Sequence, residues 1–183
     1  NIPYSFFESE GELLRTTVDA IAEQNVVGWF QNRMEFGPRA LGSRSILGDA
    51  RSETMQSTIN LRIKHRESFR PFAPCVLRED LGDYFDLDRE SPYMLLVAGV
   101  RRERRCPETE DLKAFRRDPD LLKRLSVKRS DIPAVTHVDM SARVQTVDPL
   151  RHGRFYRLMR EFKIRTGCSV IINTSFNIRG EPI

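Results

Sequence analysis

The chain has 183 residues, of which 39% are hydrophobic and 31% charged, and its formal net charge is +4 at pH 7. This length allows one good hydrophobic core and is short for two, so we expect a single domain spanning residues 1–183. The modest positive charge suggests anionic ligands without requiring nucleic acid. No apolar run approaches the ~20 residues that cross a bilayer, and no signal peptide stands at the start, so we expect no membrane association.

The cysteines indicate the cellular compartment, and the chain ends indicate whether the polypeptide is longer. Cys75, Cys106 and Cys168 are far apart in sequence, which argues against a zinc site or a disulfide framework. This cysteine usage fits a reducing compartment, and we expect a cytoplasmic protein. The chain begins at Asn1 and stops at Ile183 inside what reads as a continuing segment, so we interpret it as part of a longer polypeptide.

Hydrophobic periodicity predicts alternating helices and strands in the first half of the chain. The predicted elements are a helix after a cap at Ser9, a short buried strand at 26–30, a loop from Phe36 punctuated by Gly42 and Gly48, a helix from Ser52 to Ile63 with Lys64 and Arg66 at its C-terminal end, a strand at 72–77 with a proline at its edge, a helical turn at 81–85 and a buried strand at 93–100.

The second half opens with a charged segment. Residues 101–129 include eleven basic and six acidic residues with little apolar periodicity, and we interpret them as a solvated helical excursion or a mobile insertion. A nucleic-acid-binding tail is the less favoured alternative. Strands are then predicted at 134–138, 143–147 and 169–172, with a helix at 155–166 that Gly167 ends. Short connections favour antiparallel neighbours, so the sequence predicts an α/β or α+β fold, with helices against a sheet.

Basic residues are concentrated between Arg33 and Arg70, where eight cations accompany four acids. Several of these cations stand in Gly/Pro-punctuated or apolar surroundings. A cation near half-buried backbone is costly unless an anion meets it. Phosphate is the expected anion, because Arg offers its oxygens a planar fork and Lys a point charge.

Three stretches could supply this chemistry, and each also has a plain structural interpretation. Residues 37–42 aim Arg39 from a tight backbone, or form a turn with a surface arginine. The cations at 64–70 form a binding cluster, or the solvated end of a helix. Residues 173–177 follow a buried strand, where ligands collect in open α/β sheets, or they form an Asx/Ser turn.

Together these stretches resemble one family. The sequences GPRALGSRSIL (37–47), KHRESFRPFAP (64–74) and NTSFNIRGEP (173–182) are similar to the hallmark blocks of the C-terminal domain of the O-carbamoyltransferases. This is the family of nodulation protein U and of enzymes that carbamoylate antibiotics. The resemblance covers residues 28–183 and implies a YrdC-like fold, a twisted mixed α/β sheet flanked by helices around a basic cavity.

The resemblance implies a carbamoyltransferase that works in two parts. This domain would join carbamoyl phosphate and ATP into carbamoyl adenylate, releasing phosphate and pyrophosphate. An N-terminal actin-like domain of the same polypeptide, with a bound metal, would then pass the carbamoyl group to an acceptor hydroxyl. That partner domain is absent from the present sequence.

The binding residues of the family map onto matching positions. Those implied for carbamoyl phosphate and ATP are Arg39, Lys64, Arg66, Arg70, Arg143, Ser175 and Asn177, with Lys64 and Arg70 catalytic and with Arg44 and Arg66 as supports. Two features depart from the family pattern: the domain usually continues past Ile183, and segment 101–129 is untypical. Charge develops on phosphoryl oxygens in such reactions, so catalysis would rest on positioning and fixed cations.

Cofactor expectations follow from the same chemistry. ATP is expected to bind with Mg²⁺ bridging its phosphates, as in phosphoryl transfer generally. No built-in metal site is expected, since His65, His137 and His152 are scattered and are interpreted as structural or surface residues. No cysteine has a Cys/His/Asn context, which disfavours a covalent thiol intermediate.

Two rival interpretations stay open. The domain could be an RNA- or nucleotide-binding module without catalysis, which stacking aromatics interleaved with cations would support. Against this, we expect Phe69, Phe72 and Phe176 to be core neighbours. Alternatively, the isolated chain is inert and only docks on its partner domain.

Overall fold

The computed structural model describes residues 2–107, 109, 118–120, 124–125 and 127–183, and in these residues six strands form one mixed sheet. The strands are β1 (Val27–Phe30), β2 (Arg44–Asp49), β3 (Ala73–Leu77), β4 (Leu96–Gly99), β5 (Ser141–Val147) and β6 (Val170–Ser175). The helices are α1 (Glu10–Ala22), α2 (Met55–Arg62), α3 (Leu81–Tyr84), α4 (Pro149–His152) and α5 (Arg154–Thr166), with 3-10 turns at Arg78–Asp80, Arg102–Arg104 and Pro133–Val135. The expected α/β fold, a mixed sheet flanked by helices, is confirmed.

The strand register decides which parts of the chain meet. The order in the sheet is β1-β2-β6-β3-β5-β4, and among the described strands only β3 and β5 are parallel neighbours. Ala73 at the start of β3 pairs with Asn173 near the end of β6, while Cys75 pairs with Gln145 of β5. The starts of β3 and β5 and the end of β6 therefore lie at the same end of the sheet's strands, which we call the β6 end of the sheet.

Buried apolar side chains hold the β6 end of the sheet in place. The β-branched start of β6 is fully buried, and α5 buries Phe155 and Phe162 on its apolar face. Gly167 ends α5 with φ 74°, a left-handed conformation in which glycine carries no Cβ penalty. Helix α2 packs on β2 at Gly48, where a Cβ would lie 2.9 Å from the Met55 side chain.

Several local predictions are wrong. The strand predicted at 134–138 is instead the turn Pro133–Val135, in which a proline supplies the first residue. Strand β4 is shorter than the predicted 93–100 and is buried only at Ala98, because it is the last strand of the sheet and Leu96 and Val97 are exposed. Strand β2 falls in the segment predicted as a loop.

Two further differences concern the candidate residues. Lys64 and Arg66 lie beyond the end of α2 rather than on its last turn. The polar residues from Asn173 to Ser175 belong to β6 instead of following it. The prediction for segment 101–129 falls in part on residues outside the described ranges. None of the helices in the described ranges combines the length and apolarity needed to cross a bilayer.

Candidate anion-binding site

Two adjoining basins open at the β6 end of the sheet. The first, which we call the Lys64 basin, has a volume of about 270 Å³ and carries the cations Lys64, Arg66, Arg70 and Arg179. The second, the Arg143 basin, has a volume of about 190 Å³ and carries Arg39, Arg66 and Arg143. Within the described part of the chain, no Asp or Glu lines either basin.

All of the predicted binding residues line these basins. Arg39 and Arg143 lie in the Arg143 basin; Lys64, Arg70 and Asn177 lie in the Lys64 basin; and Arg66 and Ser175 border both. The structure thus brings together groups from the loop after β1, the segment after α2, and strands β5 and β6. Their roles in binding and catalysis stay predictions.

Lys64 is the most buried cation of the site, with 5% of its surface exposed. Its Nζ donates to the carbonyl oxygens of Ser175 and Asn177 at 2.6 and 2.7 Å, and lies 3.0 Å from Asn177 Oδ1 and 3.4 Å from Ser175 Oγ. Burial, and after it the charge of Arg66, lowers the pKa of the Lys64 ammonium to about 8. This charge is therefore held by neutral acceptors, without a carboxylate.

Arg66 stands where the two basins meet. Its Nε donates to Asn60 Oδ1 at 2.6 Å, and its guanidinium carbon lies 5.0 Å from the centre of the Phe72 ring. Burial lowers the pKa of Arg66, and the charge of Arg70 adds to the effect. Two fixed contacts therefore hold this guanidinium, and the charge of Glu67 offsets only part of the effect of burial and of Arg70.

Arg39 and Arg143 form the cationic side of the second basin. Neither side chain makes a hydrogen bond or an ion pair within the described part of the chain. Arg143 is half-buried, and burial, followed by the charge of Arg39, lowers its pKa. Two like charges that influence each other without a counter-charge suit an anion between them.

Arg70 differs from its neighbours. Its side chain is 52% exposed and its Nε lies 2.9 Å from the Glu67 carboxylate. The preceding Phe69 is itself 47% exposed, so the surroundings of Arg70 on this side are not packed. Of the predicted binding residues, Arg70 is therefore the one already engaged with an acid.

Arg44 lies outside both basins. Its Nη1 donates to Gln31 O at 2.7 Å and to Ser43 O at 2.9 Å, and its guanidinium carbon lies 3.3 Å from the centre of the Phe30 ring. These contacts make Arg44 a support for the loop between β1 and β2.

Glu35 is a supporting residue that the sequence analysis missed. Its Oε1 accepts from the backbone N–H groups of Leu41 and Ser43, each at 2.7 Å. Gly42, between them, has φ 109° and lies against the Phe155 ring, so a side chain there would be strained and would collide. The loop that carries Arg39 is thus fixed, although nothing in the local pattern around Glu35 indicates this role.

The aromatic neighbours divide into two kinds. Phe72 is buried, as expected. Phe69 and Phe176 are 47% and 41% exposed, so the expectation that they are core neighbours is wrong. Phe69 lies in a turn before β3, and Phe176 directly follows β6 with its ring against Gly28.

A third cleft lies outside the site, and its charge is compensated. The cleft beside Lys128 has a volume of about 390 Å³, but Lys128 bonds Glu53 at 2.8 Å, so its charge is compensated. Among the described residues, no group of three or more His, Cys, Asp or Glu side chains could hold a metal ion.

Comparison with known proteins identifies the family. Residues 18–183 match the family model described as "Carbamoyltransferase C-terminus". The chain belongs to this carbamoyltransferase family. It is 56% identical to an uncharacterised protein of Synechocystis over 98% of the chain, and 39% identical to the 3'-hydroxymethylcephem-O-carbamoyltransferase of Streptomyces clavuligerus over 88%. It is also 42% identical to nodulation protein NolNO of Sinorhizobium fredii over 89% of the chain.

The chain spans only part of these relatives: 28% of the Synechocystis protein, 26% of the cephem carbamoyltransferase and 21% of NolNO. Among solved structures, full-length HypF, described in a phosphate- and nucleotide-bound form, covers the whole chain with a TM-score of 0.53. The chain corresponds to 19% of HypF at 18% identity, so this likeness concerns the fold alone.

Proposed function

We propose that this domain binds carbamoyl phosphate and ATP and forms carbamoyl adenylate, the activated half of a carbamoyl transfer. One observation carries the proposal: cations from distant parts of the chain meet in two adjoining basins that no carboxylate lines among the described residues. Lys64 is buried and Arg66 and Arg143 are half-buried, and cations in such places are matched by phosphoryl oxygens. Two basins suit two phosphate-bearing substrates.

The proposed chemistry asks little covalent work of the protein. Water cleaves carbamoyl phosphate to phosphate and carbamate, and a carbamate oxygen then attacks the α-phosphorus of ATP while pyrophosphate leaves. In this scheme Lys64 and Arg70 stabilise the charge that develops on the phosphoryl oxygens, and Arg39 and Arg143 orient the acyl phosphate. Ser175 and Asn177 offer polar groups to the ligands, and Mg²⁺ accompanies ATP.

The transfer step would belong to another domain. The relatives above are about four times as long as the matched region, which leaves room for the actin-like, metal-binding domain that would pass the carbamoyl group to a hydroxyl. Such a two-domain enzyme would work in the cytoplasm, where ATP and carbamoyl phosphate are available.

Calorimetry tests the binding step directly. Carbamoyl phosphate and ATP should each bind the chain, and Arg39→Ala should weaken carbamoyl phosphate binding by about 1–3 kcal/mol, the range for a hydrogen bond to a charged group. Arg165→Ala, which removes an exposed arginine paired with Asp19, is the matched control and should leave binding unchanged. Exchange of labelled pyrophosphate into ATP, dependent on carbamoyl phosphate, would report adenylate formation.

The rival interpretations give different results in the same assays. An RNA-binding module would bind RNA with a steep loss of affinity in added salt and would bind neither small ligand. An inert docking domain would show no rise in Tm with either ligand. Either outcome would overturn the proposed function.

A further inference from the structure

Arg39 is carried by a loop rather than by a helix or a strand, and its own side chain makes no hydrogen bond within the described part of the chain. Its position therefore depends on how the loop backbone is held. Glu35 binds two N–H groups of this loop, as described above. The carbonyl groups of the loop are bound from the opposite side, by two amide side chains of the sheet.

Gln145 of β5 and Asn173 of β6 supply these amides. Gln145 Nε2 donates to Leu41 O at 2.9 Å, and Asn173 Nδ2 donates to Ala40 O at 3.2 Å. The two amides also bond each other, since Asn173 Nδ2 lies 2.7 Å from Gln145 Oε1. Both residues are at most 1% exposed, so water does not compete for these bonds.

Two bonds fix the orientation of Gln145. Its Nε2 donates to Leu41 O and its Oε1 accepts from Asn173 Nδ2, so turning the amide over would break both bonds. His152 lies beside this pair, with its Nε2 3.4 Å from Gln145 Nε2, while its Nδ1 accepts from the backbone N–H of Asp148 at 3.1 Å.

The same two strands carry the anion-binding groups. Gln145 stands two residues after Arg143 on β5, and Asn173 stands two residues before Ser175 on β6, so each pair shares one face of its strand. Asn173 also lines the Arg143 basin, and its Oδ1 is buried without a partner in the described residues. The two strands that bind the loop carbonyls therefore also line the Arg143 basin.

We propose that Gln145 and Asn173 are positioning residues, which hold the carbonyls of Ala40 and Leu41 so that Arg39 faces the Arg143 basin. This inference rests on the proposed function and deepens it, because it adds two uncharged residues to the machinery that binds the acyl phosphate. A purely structural role would stabilise the fold without being coupled to Arg39.

A double-mutant cycle separates these roles. Calorimetry with carbamoyl phosphate is performed on the wild-type chain, Gln145→Leu, Arg39→Ala and the double variant. Gln145→Leu should lower affinity by about 5- to 150-fold, like Arg39→Ala, and should cause no further loss in the Arg39→Ala background. Multiplied losses, or an unchanged affinity in Gln145→Leu, would overturn the inference.

Two further variants keep the test decisive. Thr146→Val removes a buried acceptor of Ser91 N from the next position of β5, so it should lower Tm while leaving affinity unchanged. If Gln145→Leu does not fold, Asn173→Ser replaces it in the cycle with the same expectation. Inorganic phosphate is the second probe. A chain that binds phosphate but not carbamoyl phosphate refutes the proposed function. In that case the double-mutant cycle, repeated with phosphate, still tests whether Gln145 and Asn173 position Arg39. A chain that binds neither refutes both.

Discussion

Two basic regions of this molecule differ in how their charges are balanced. Along α5, each basic side chain with a defined partner meets a carboxylate: Arg154 and Arg157 bond Glu10, Lys163 bonds Asp80 at 2.7 Å, and Arg165 bonds Asp19 at 3.0 Å. At the β6 end of the sheet, Lys64 contacts neutral acceptors, and Arg39 and Arg143 have no carboxylate partner within the described ranges.

The electrostatic consequences also differ in sign. The hydrogen bond that Arg157 donates to the Glu10 carboxylate lowers the pKa of Glu10 and raises the pKa of Arg157, so each partner favours the charged form of the other. Burial lowers the pKa of Lys64 and of Arg143. Paired surface cations add slightly to stability, whereas unpaired half-buried cations lower it until an anion arrives. The contrast, more than the number of cations, indicates where a ligand binds.

The largest expected effect on ligand affinity comes from replacing Lys64, and replacing Arg157 of α5 provides the comparison. Lys64→Met should weaken carbamoyl phosphate binding by about 1–3 kcal/mol, because a desolvated charged donor is lost from the basin. Arg157→Ala, which removes an exposed arginine from α5, should leave the affinity unchanged. Equal losses in the two variants, measured by calorimetry, would remove the distinction between the regions.

A pH titration of binding sharpens the comparison. The pKa of Lys64 is about 8, so the ammonium loses its proton, and the basin a positive charge, as pH rises through this value. Carbamoyl phosphate affinity should then fall by at most about tenfold per pH unit, the limit for one proton. Lys64→Met should show no such fall, and a wild-type affinity that is flat across this range would contradict the assignment.

His152 gives a smaller effect on stability. Burial lowers its pKa in the folded chain, so the unfolded chain takes up the proton first as pH falls. The free energy of unfolding should therefore be greatest above the ordinary pKa of histidine and decrease as pH falls through it, by at most about 1.4 kcal/mol per pH unit. Denaturant unfolding of His152→Gln should show a shallower decrease than the wild-type chain. An identical decrease would mean that the imidazole takes up its proton in the fold.

The smallest effect is expected on α5 itself. Glu10→Gln removes the carboxylate shared by Arg154 and Arg157, and exposed pairs of this kind contribute little. The Tm should fall by no more than about 2–4 °C, and the difference should shrink in high salt. Anion affinity should not change. A larger loss would show that pairing on α5 matters more than its exposure suggests.

The elements that could be predicted are those with a strong local signal. The apolar face of α5 and its stop at Gly167 are visible in the sequence, as is the β-branched run of β6. Strand β2 was missed because Arg44 and Gly48 interrupt its apolar pattern. Strand β4 was predicted as buried because its apolar content gives no sign of its place at the sheet edge.

The candidate site divides in the same way. The cations were found because they stand in distinctive motifs, yet no periodicity indicates that Lys64 contacts Ser175, which is 111 residues away in the chain. That contact depends on strand register, which tertiary packing decides. Glu35, Gln145 and Asn173 were not singled out for their roles in holding the loop, since single polar residues of these types are common and their partners are distant in sequence.

The four contacts of Lys64 have a mechanical consequence. An ammonium group has three protons, and oxygens of Ser175 and Asn177 already surround it. A phosphoryl oxygen that reaches this nitrogen must displace at least one of them. Ligand arrival and the attachment of the segment after β6 are therefore competing events at a single atom.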